Sequence, residues 1–306
     1  MTITPNAPTR GLDGYRSTLL QESEWELGGV RFGGPRSRPL AIVEASFPEW
    51  DVDDEDFAHP TLDGIMPGTD RDRGSTIAFT VVTAHTRSAE DGMALARTLT
   101  SAWRKGRDLP PGAMMPLIVR AGGRHLRVYG RPRRYSHPVP DLRAQLGKIL
   151  IHLDFKVMIP VVFDETEYSV SMHRATESSG GLKFPAREPF LFRETGDDIR
   201  RAVRVEGETP VPFRAIFTGP ASSQRIVGPS WEVALTKGLS SGETCVVDTL
   251  TQLVTVNGAV RPDMISRSTR LTSRLQPGWS GFKYLANDPT NLSTGTLAWR
   301  AGWSSL

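Results

Sequence analysis

The segment 117–129 reads LIVRAGGRHLRVY, and its pattern decides the fold. Polar and apolar residues alternate around Gly122-Gly123, a pair that can take the positive φ angles of a two-residue hairpin turn. Pairing Ala121 with Arg124 then gives the hairpin two faces. The apolar residues of one face are Leu117, Val119, Leu126 and Val128. The opposite face carries Ile118, Arg120, His125 and Arg127. We expect the first face to form core and the second to meet water or a partner.

The same two-residue period dominates the rest of the chain. Segment 149–157 alternates over nine residues, which predicts a long strand with Ile149 and every second residue on one face. Asn257-Gly258, a strong short hairpin signal, separates 251–256 from the strand that begins at Ala259. Helical periodicity is convincing only at 88–103, where Ser88 can cap an amphipathic helix. A mainly β protein with one packed helix is predicted.

The chain is too long for one ordinary domain. The alternating pattern weakens from about 164 to 196, where serine, glycine and proline interrupt it. We therefore expect a first domain at 1–165, a linker region at 166–195 and a second domain at 196–306. Strand-like runs in the second half suggest a β-sandwich and lie at 213–218, 231–235, 244–248, 251–256, 268–271 and 296–299.

Composition and charge exclude several classes of protein. The 37 basic residues face 34 acidic ones, so charge alone does not indicate a nucleic-acid partner. The single cysteine, Cys245, lies in an apolar stretch and is expected to be a buried, inert thiol. Residues 1–16 have no apolar signal-peptide core, and no apolar run is long enough to span a bilayer. We expect a soluble protein without a membrane partner that no standard signal exports.

Catalytic motifs are missing from the sequence. It contains no Gly-x-Ser-x-Gly elbow, P-loop or His-Glu-x-x-His, and its six histidines are scattered without metal-ligand spacing. The acidic run 51–56 fails as a calcium loop because Asp56 and Leu62 occupy the positions that need glycine and glutamate. We predict no enzyme and no catalytic, cofactor or metal residues. The acidic run is expected to be a solvated loop that faces arginine on a neighbouring subunit.

Two further features have competing interpretations. Six arginines between Arg120 and Arg134, interleaved with Tyr129 and Tyr135, could form a nucleic-acid surface, but the charge balance favours solvated or intersubunit side chains. Exposed tryptophans could stack on sugars, although such residues are more often core or interface anchors. Trp299 is expected in the core. For Trp279, the sequence does not decide between a core and a surface position.

Five pieces of the second half together resemble the carboxy-terminal domain of the distal tail proteins of long-tailed phages, particularly those infecting actinobacteria. They are Phe217-Thr218-Gly219-Pro220, Val247-Asp248-Thr249, Val256-Asn257-Gly258, Leu275-Gln276-Pro277-Gly278 and the closing segment 297–303 (LAWRAGW). The family often has Gly-x-Asn after the position of Leu275, whereas this chain has Gly278-Trp279-Ser280.

The first half resembles the amino-terminal domain of the same family. The matching pieces are segment 25–33 (WELGGVRFG), Leu62-Asp63-Gly64, the helix ending at Trp103, and segment 129–134 (YGRPRR). The resemblance covers nearly the whole chain in order and implies a tail-tube-like β domain with one α-helix, followed by a galectin-like β-sandwich.

What the resemblance implies is a structural virion protein without catalysis. Six copies would form a ring at the distal end of the tail tube, joining tail tube protein to the tail-tip hub and to receptor-binding proteins. The location would be the virion tail tip, assembled in the host cytoplasm, and no sequence-specific nucleic acid would be bound. The alternatives are a carbohydrate-binding module that recognises host cell-wall sugars and, more remotely, a wall-degrading enzyme.

Overall fold

A computed structural model describes residues 20–35, 37–46, 50–136, 142–173 and 201–305. Contacts divide these residues into two compact units. The amino-terminal unit contains the described residues up to Thr166 together with 302–305, and the carboxy-terminal unit contains those of Glu167–Ala301. The domain bounds stay a prediction, because most of the expected linker region lies outside the described residues.

Short and long strands make up most of the amino-terminal unit, with one long helix. The strands are β1 (Glu24–Leu27), β2 (Val30–Gly33), β3 (Leu40–Ala45), β4 (Asp51–Asp53), β5 (Phe57–Ala58), β6 (Ile65–Met66), β7 (Arg71–Arg73), β8 (Thr76–Thr83), β9 (Met115–Ala121), β10 (Arg124–Tyr135), β11 (Leu150–Val157) and the first residues of β12 (Val162–His173). The helices are α1 (Ala89–Arg107) and the short α2 (Leu142–Gln145). Antiparallel pairing runs β3-β8-β11-β10, and β10 also pairs with β9 and with the start of β12. β9 pairs in turn with β1, and β1 with β2.

The hairpin at 117–129 has the predicted turn and register. Gly122 and Gly123 take φ angles of 57° and 76°, and Ala121 pairs with Arg124. All four residues of the predicted core face are buried. The prediction for the opposite face is wrong at two positions, because Ile118 and Arg127 are also buried. β12 pairs with β10 at Arg127, and its Glu165 carboxylate binds the buried Arg127 guanidinium, a contact that the sequence pattern did not reveal.

The predicted helix is present and longer than expected, since α1 continues four residues past Trp103. Ser88 caps it, with Oγ accepting a hydrogen bond from the backbone N–H of Asp91 at 3.1 Å. Basic residues in its last turn complement the negative end of the helix dipole. Trp103 is fully buried, and its Nε1 donates to the carbonyl of Asp154 in β11 at 3.0 Å. The helix is thereby fastened to the sheet, as its apolar stripe predicts.

Edge-to-face aromatic contacts form the centre of the amino-terminal core. Their ring centroids lie 5.0 to 6.5 Å apart and join Trp25, Phe32, Phe79, Trp103 and Phe155. This spacing is favourable for aromatic pairs and adds to the stabilisation from area burial. Alternate residues of β11 face this core, as its period predicts.

Two antiparallel sheets form the carboxy-terminal unit. Its further strands are β13 (Arg201–Val205), β14 (Phe213–Thr218), β15 (Ser222–Val227), β16 (Glu232–Ala234), β17 (Thr244–Asp248), β18 (Leu253–Val256), β19 (Ala259–Val260), β20 (Gly278–Asn287) and β21 (Thr294–Trp303). One sheet has the order β19-β18-β17-β14-β21, with the last residues of β12 beside β21, and the other has the order β13-β20-β15-β16. Phe217 and Tyr284 are buried between the sheets, with ring centroids 6.4 Å apart. The predicted mainly β fold and β-sandwich are confirmed.

Several strand predictions for this half need correction. Segment 268–271 contains no strand, since it forms turns whose Thr269 side chain hydrogen-bonds Ala234. Residues 164–173, interpreted as the start of a weak junction, belong to strand β12. Its polar residues obscured the pattern, yet partners across the sheet neutralise them, as the ion pair of Glu167 with Arg214 illustrates. The Asn257-Gly258 turn is confirmed, although the strand that precedes it begins at Leu253 and not at 251.

Within the described residues, neither helix has the length and apolar character needed to cross a membrane. The amino-terminal segment expected to lack a signal peptide lies outside the described residues.

Candidate interaction surfaces

Residues 51–73 form an antiparallel ribbon, here called the β-arm. β4 pairs with β7 at its base and β5 pairs with β6 nearer its tip. Ion pairs brace the base, with Arg73 Nη2 2.5 Å from Asp53 Oδ1 and Arg71 Nη1 3.3 Å from Glu55 Oε1. At the tip, the Nδ1 atom of His59 accepts from the backbone N–H of Leu62 at 3.0 Å. Local polar contacts therefore hold the β-arm in shape.

The β-arm has no core of its own. None of its residues from 52 to 73 is buried, and five large apolar side chains are exposed: Val52, Phe57, Leu62, Ile65 and Met66. Leu62 and Ile65 are 68% and 72% exposed. An isolated two-stranded ribbon is at best marginally stable in water, and clustered exposed apolar residues are typical of protein interaction sites. The β-arm is therefore the strongest candidate interface of the amino-terminal unit.

Charge distinguishes the β-arm from the rest of the chain. It contains eight acidic residues and two arginines, whereas the whole chain has a net charge of +3. Exposed basic residues occur elsewhere in the same unit, including Arg104 and Lys105 of α1 and Arg133 and Arg134 of β10. An acidic ribbon and basic surfaces on one chain give two copies complementary charges.

The acidic run 51–56 was expected to be a solvated loop, but Asp51–Asp53 belong to strand β4, which corrects the prediction for those three residues. Asp53 and Glu55 pair with arginines of their own chain. Asp56 accepts a hydrogen bond from the backbone N–H of Gly68 at 2.8 Å. The described residues contain no group of three or more acidic, histidine or cysteine side chains arranged to hold a metal ion. The run is thus engaged in shaping the β-arm.

Arg127 shows that the arginine-rich hairpin has a structural role. Its side chain is 0% exposed, and it forms a bidentate pair with Glu165, Nε donating to Oε2 at 2.6 Å and Nη2 to Oε1 at 2.5 Å. Nη1 donates to the Tyr129 hydroxyl at 3.0 Å. Paired and hydrogen-bonded burial of this kind is what makes a buried charge tolerable. Arg127 was predicted to be solvated or intersubunit, and that prediction is wrong.

The neighbouring arginines also make contacts within the unit. Arg124 Nη2 donates to Asp164 at 2.7 Å, and its guanidinium lies 4.1 Å from the ring centroid of Trp303. Arg120 Nη1 donates to the carbonyl of Leu20 at 2.9 Å. Arg133 and Arg134 remain exposed. The hairpin thus offers only part of its arginines to any outside partner.

The tryptophans and the cysteine divide between core and surface. Trp299 is buried, as predicted. Trp279 is 75% exposed on β20, which answers the question that the sequence left open. Cys245 is buried, and burial raises the pKa of its thiol to about 11. The expectation of an inert thiol agrees with this environment, because the thiolate is the reactive form.

Neither protein-family models nor curated proteins match the chain. Solved structures, in contrast, do match the chain. The Dit protein of phage SPP1, described as a paradigm of the hub adsorption apparatus in phages infecting Gram-positive bacteria, is 11% identical with a TM-score of 0.57, over 91% of this chain and 98% of that one. A chain of the phage P2 baseplate in its activated conformation with Ca is 9% identical with a TM-score of 0.55, over 90% of this chain and 97% of that one. The same baseplate with Sr gives a TM-score of 0.56 at 9% identity, with the same coverage. The chain therefore has the fold of these phage adsorption-hub and baseplate proteins, along nearly its whole length.

Proposed function

We propose that this chain is a structural subunit of a phage tail tip. Copies form a closed ring at the distal end of the tail tube, with six as the expected number. The ring joins tail tube protein to the tail-tip hub and to host-recognition proteins. The proposal includes no catalytic step, and it places the protein in the virion tail after assembly in the host cytoplasm.

The observation that carries the proposal is the shared fold with the SPP1 hub protein over 91% of this chain and 98% of that one. A match of both chains from end to end supports a similar role better than a shared single domain would, because the whole two-part architecture is common. A ring subunit also needs interfaces in place of a pocket, and the β-arm is such a surface.

The β-arm is the proposed contact between neighbouring copies. Fully burying side chains such as Phe57 and Ile65 contributes roughly 1.5–3 kcal/mol each. The acidic residues of the β-arm would meet exposed basic residues of the next copy, which fixes the direction of the contact. Because the β-arm and its acceptor surface differ, the contact is head-to-tail, and such a contact forms a closed ring when the rotation between neighbouring copies is a whole fraction of a full turn.

Mass photometry and negative-stain microscopy of the purified protein test the proposal. We expect a closed ring of six copies with a central channel. The double variant Phe57→Glu with Ile65→Glu should be monomeric, because burying two new carboxylates in the contact between copies is unfavourable. Leu292→Glu is the matched control, since Leu292 is similarly exposed (68%) but lies in the carboxy-terminal unit. A strict monomer at high concentration would refute the ring, and a ring that survives both arm substitutions would refute the role of the β-arm.

A further inference from the structure

The outer face of the β13-β20-β15-β16 sheet combines an exposed indole with a polar groove. Residues 279, 281, 283, 285 and 287 of β20 alternate outward, while Phe282 and Tyr284 face the core. Trp279 stands on this outer face directly opposite Arg204 of β13, and Gly281 stands opposite Ala202. Large aromatic side chains usually bury their rings, so an indole that is 75% exposed on a strand face is an unused contact surface.

A groove of about 580 Å³ opens at the other end of the same face. Its lining includes Arg225, Glu232, Leu285 and Asn287. The groove coincides with a bulge in β15, where the register with β20 shifts between Ser222 and Arg225. Bulges bend a strand and frequently re-aim side chains beside binding sites. The irregularity of the sheet therefore explains why a concave surface exists here.

The polar groups of the groove include both donors and acceptors. Arg225 offers only N–H donors, Glu232 offers only acceptors, and Asn287 offers both. Within the described part of the chain, no ion pair engages Arg225 or Glu232. Polyhydroxylated ligands present donors and acceptors at every hydroxyl, and this mixed set matches them.

The length and charge of the face restrict the class of ligand further. Trp279 and Leu285 are six residues apart along β20, or about 20 Å at roughly 3.3 Å per residue. A ligand that reaches from the indole to the groove must be a chain of several rings. Arg204 is paired with Glu206 at 3.3 Å, and on the rest of this face Lys283 and Arg225 outnumber Glu232, so the field favours a polymer carrying negative charge. A single nucleic-acid strand would favour several stacking aromatics in a uniformly basic channel, whereas this face has one exposed indole and a groove at its other end that contains a carboxylate.

We propose that this outer face, from Trp279 to the groove at Arg225, Glu232 and Asn287, binds an acidic polysaccharide. One sugar ring stacks on the indole, and hydroxyl and acidic groups further along the chain hydrogen-bond in the groove. This site does not depend on the ring proposed above, because every residue in it belongs to one carboxy-terminal unit.

Affinity electrophoresis of the full-length protein tests the site, using native gels that contain polygalacturonate, alginate or hyaluronan. Hydroxyethyl cellulose serves as the neutral comparison. We expect at least one acidic polymer to retard the protein, and more strongly than the neutral polymer does. Trp279→Ala should weaken that binding at least ten-fold and Trp279→Phe less, since phenylalanine retains a stacking surface. Leu292→Ala, at an exposed position outside β20 and the groove lining, should bind like the wild-type protein.

Two results would overturn the proposal. The first is the absence of retardation by all three acidic polymers. The second is retardation that the Trp279→Ala variant retains, since general attraction between the basic protein and a polyanion would then account for it. Circular dichroism of each variant shows that the fold is kept, and Trp279 is exposed enough that its replacement should leave the core undisturbed. Mass photometry of the same variants reports ring formation separately, so failure of one proposal is distinguishable from failure of the other.

Discussion

The buried pair of Arg127 and Glu165 allows a quantitative test of how the amino-terminal unit is stabilised. The Glu165→Ala substitution removes both carboxylate oxygens from an arginine whose side chain is fully buried. Breaking a buried pair from one side typically costs about 3–5 kcal/mol, because the remaining charge stays desolvated without compensation. For a unit of this size, a loss of about 3 kcal/mol corresponds to a fall in Tm of roughly 6–12 °C.

Replacing both partners should cost much less than replacing one. In the double variant Arg127→Met with Glu165→Leu, no charge remains to be desolvated, and exchange of a buried pair for apolar residues is often neutral. Loss of the hydrogen bond from the Arg127 guanidinium to the Tyr129 hydroxyl adds a smaller cost of about 1.5–3 kcal/mol, the usual contribution of a hydrogen bond to a charged group. We therefore expect the double variant to be more stable than Glu165→Ala alone.

Urea unfolding followed by circular dichroism measures these free energies, and hydrogen exchange of β10 amides assigns the transition to the amino-terminal unit. Asp53→Ala is the control, because the Asp53–Arg73 pair is 41% and 62% exposed and such surface pairs contribute about 0–1 kcal/mol. The reasoning fails if Glu165→Ala costs no more than Asp53→Ala. It also fails if the double variant is as unstable as the single one.

Two further predictions concern the carboxy-terminal unit. Burial raises the pKa of the Asp288 carboxyl, but hydrogen bonds from Thr290 and Ser293 outweigh this effect and hold the pKa below its ordinary value. A lowered folded pKa means that the Asp288 carboxylate stabilises the fold above about pH 4 and that this contribution is lost at lower pH. Between pH 6 and pH 2, Tm should therefore fall further for the wild-type protein than for Asp288→Asn. Parallel Tm curves would contradict the stabilising role of the carboxylate. Cys245, with its pKa raised to about 11, should not react with a thiol reagent such as DTNB at pH 8 until urea unfolds the protein, and rapid labelling of the folded form would show that the thiol is accessible.

Local chemistry is sufficient for some of these features and insufficient for others. The Gly122-Gly123 and Asn257-Gly258 turns follow from residues that tolerate positive φ, and the Ser88 cap follows from a side chain three residues from its donor. Each depends on neighbours in sequence. Strand β12 was missed because its polar residues have partners far along the chain, as with Glu165 and Arg127, 38 residues apart.

The candidate surfaces also combine features that the local sequence reveals with features that depend on distant residues. The acidic run 51–56 was visible as a pattern, but its role in the β-arm depends on pairing with β7, which no local periodicity reveals. Trp279 was recognised as a residue of interest and left undecided between core and surface. Its place on the outer face was determined by the register of β20 with β13, which sets the direction of every second side chain.

The sequence by itself determined the class of this protein: mainly β, one capped helix, glycine-containing hairpin turns and an ordered set of pieces resembling phage distal tail proteins. Turn chemistry and periodicity act over a few residues, so they can be interpreted without knowing the rest of the molecule. Only the tertiary structure decided which charges are buried, which apolar residues form the β-arm and which face Trp279 occupies. Those outcomes depend on strand partners distant in sequence, and the burial of Arg127 against Glu165 shows how such a partner can place a predicted surface residue in the interior.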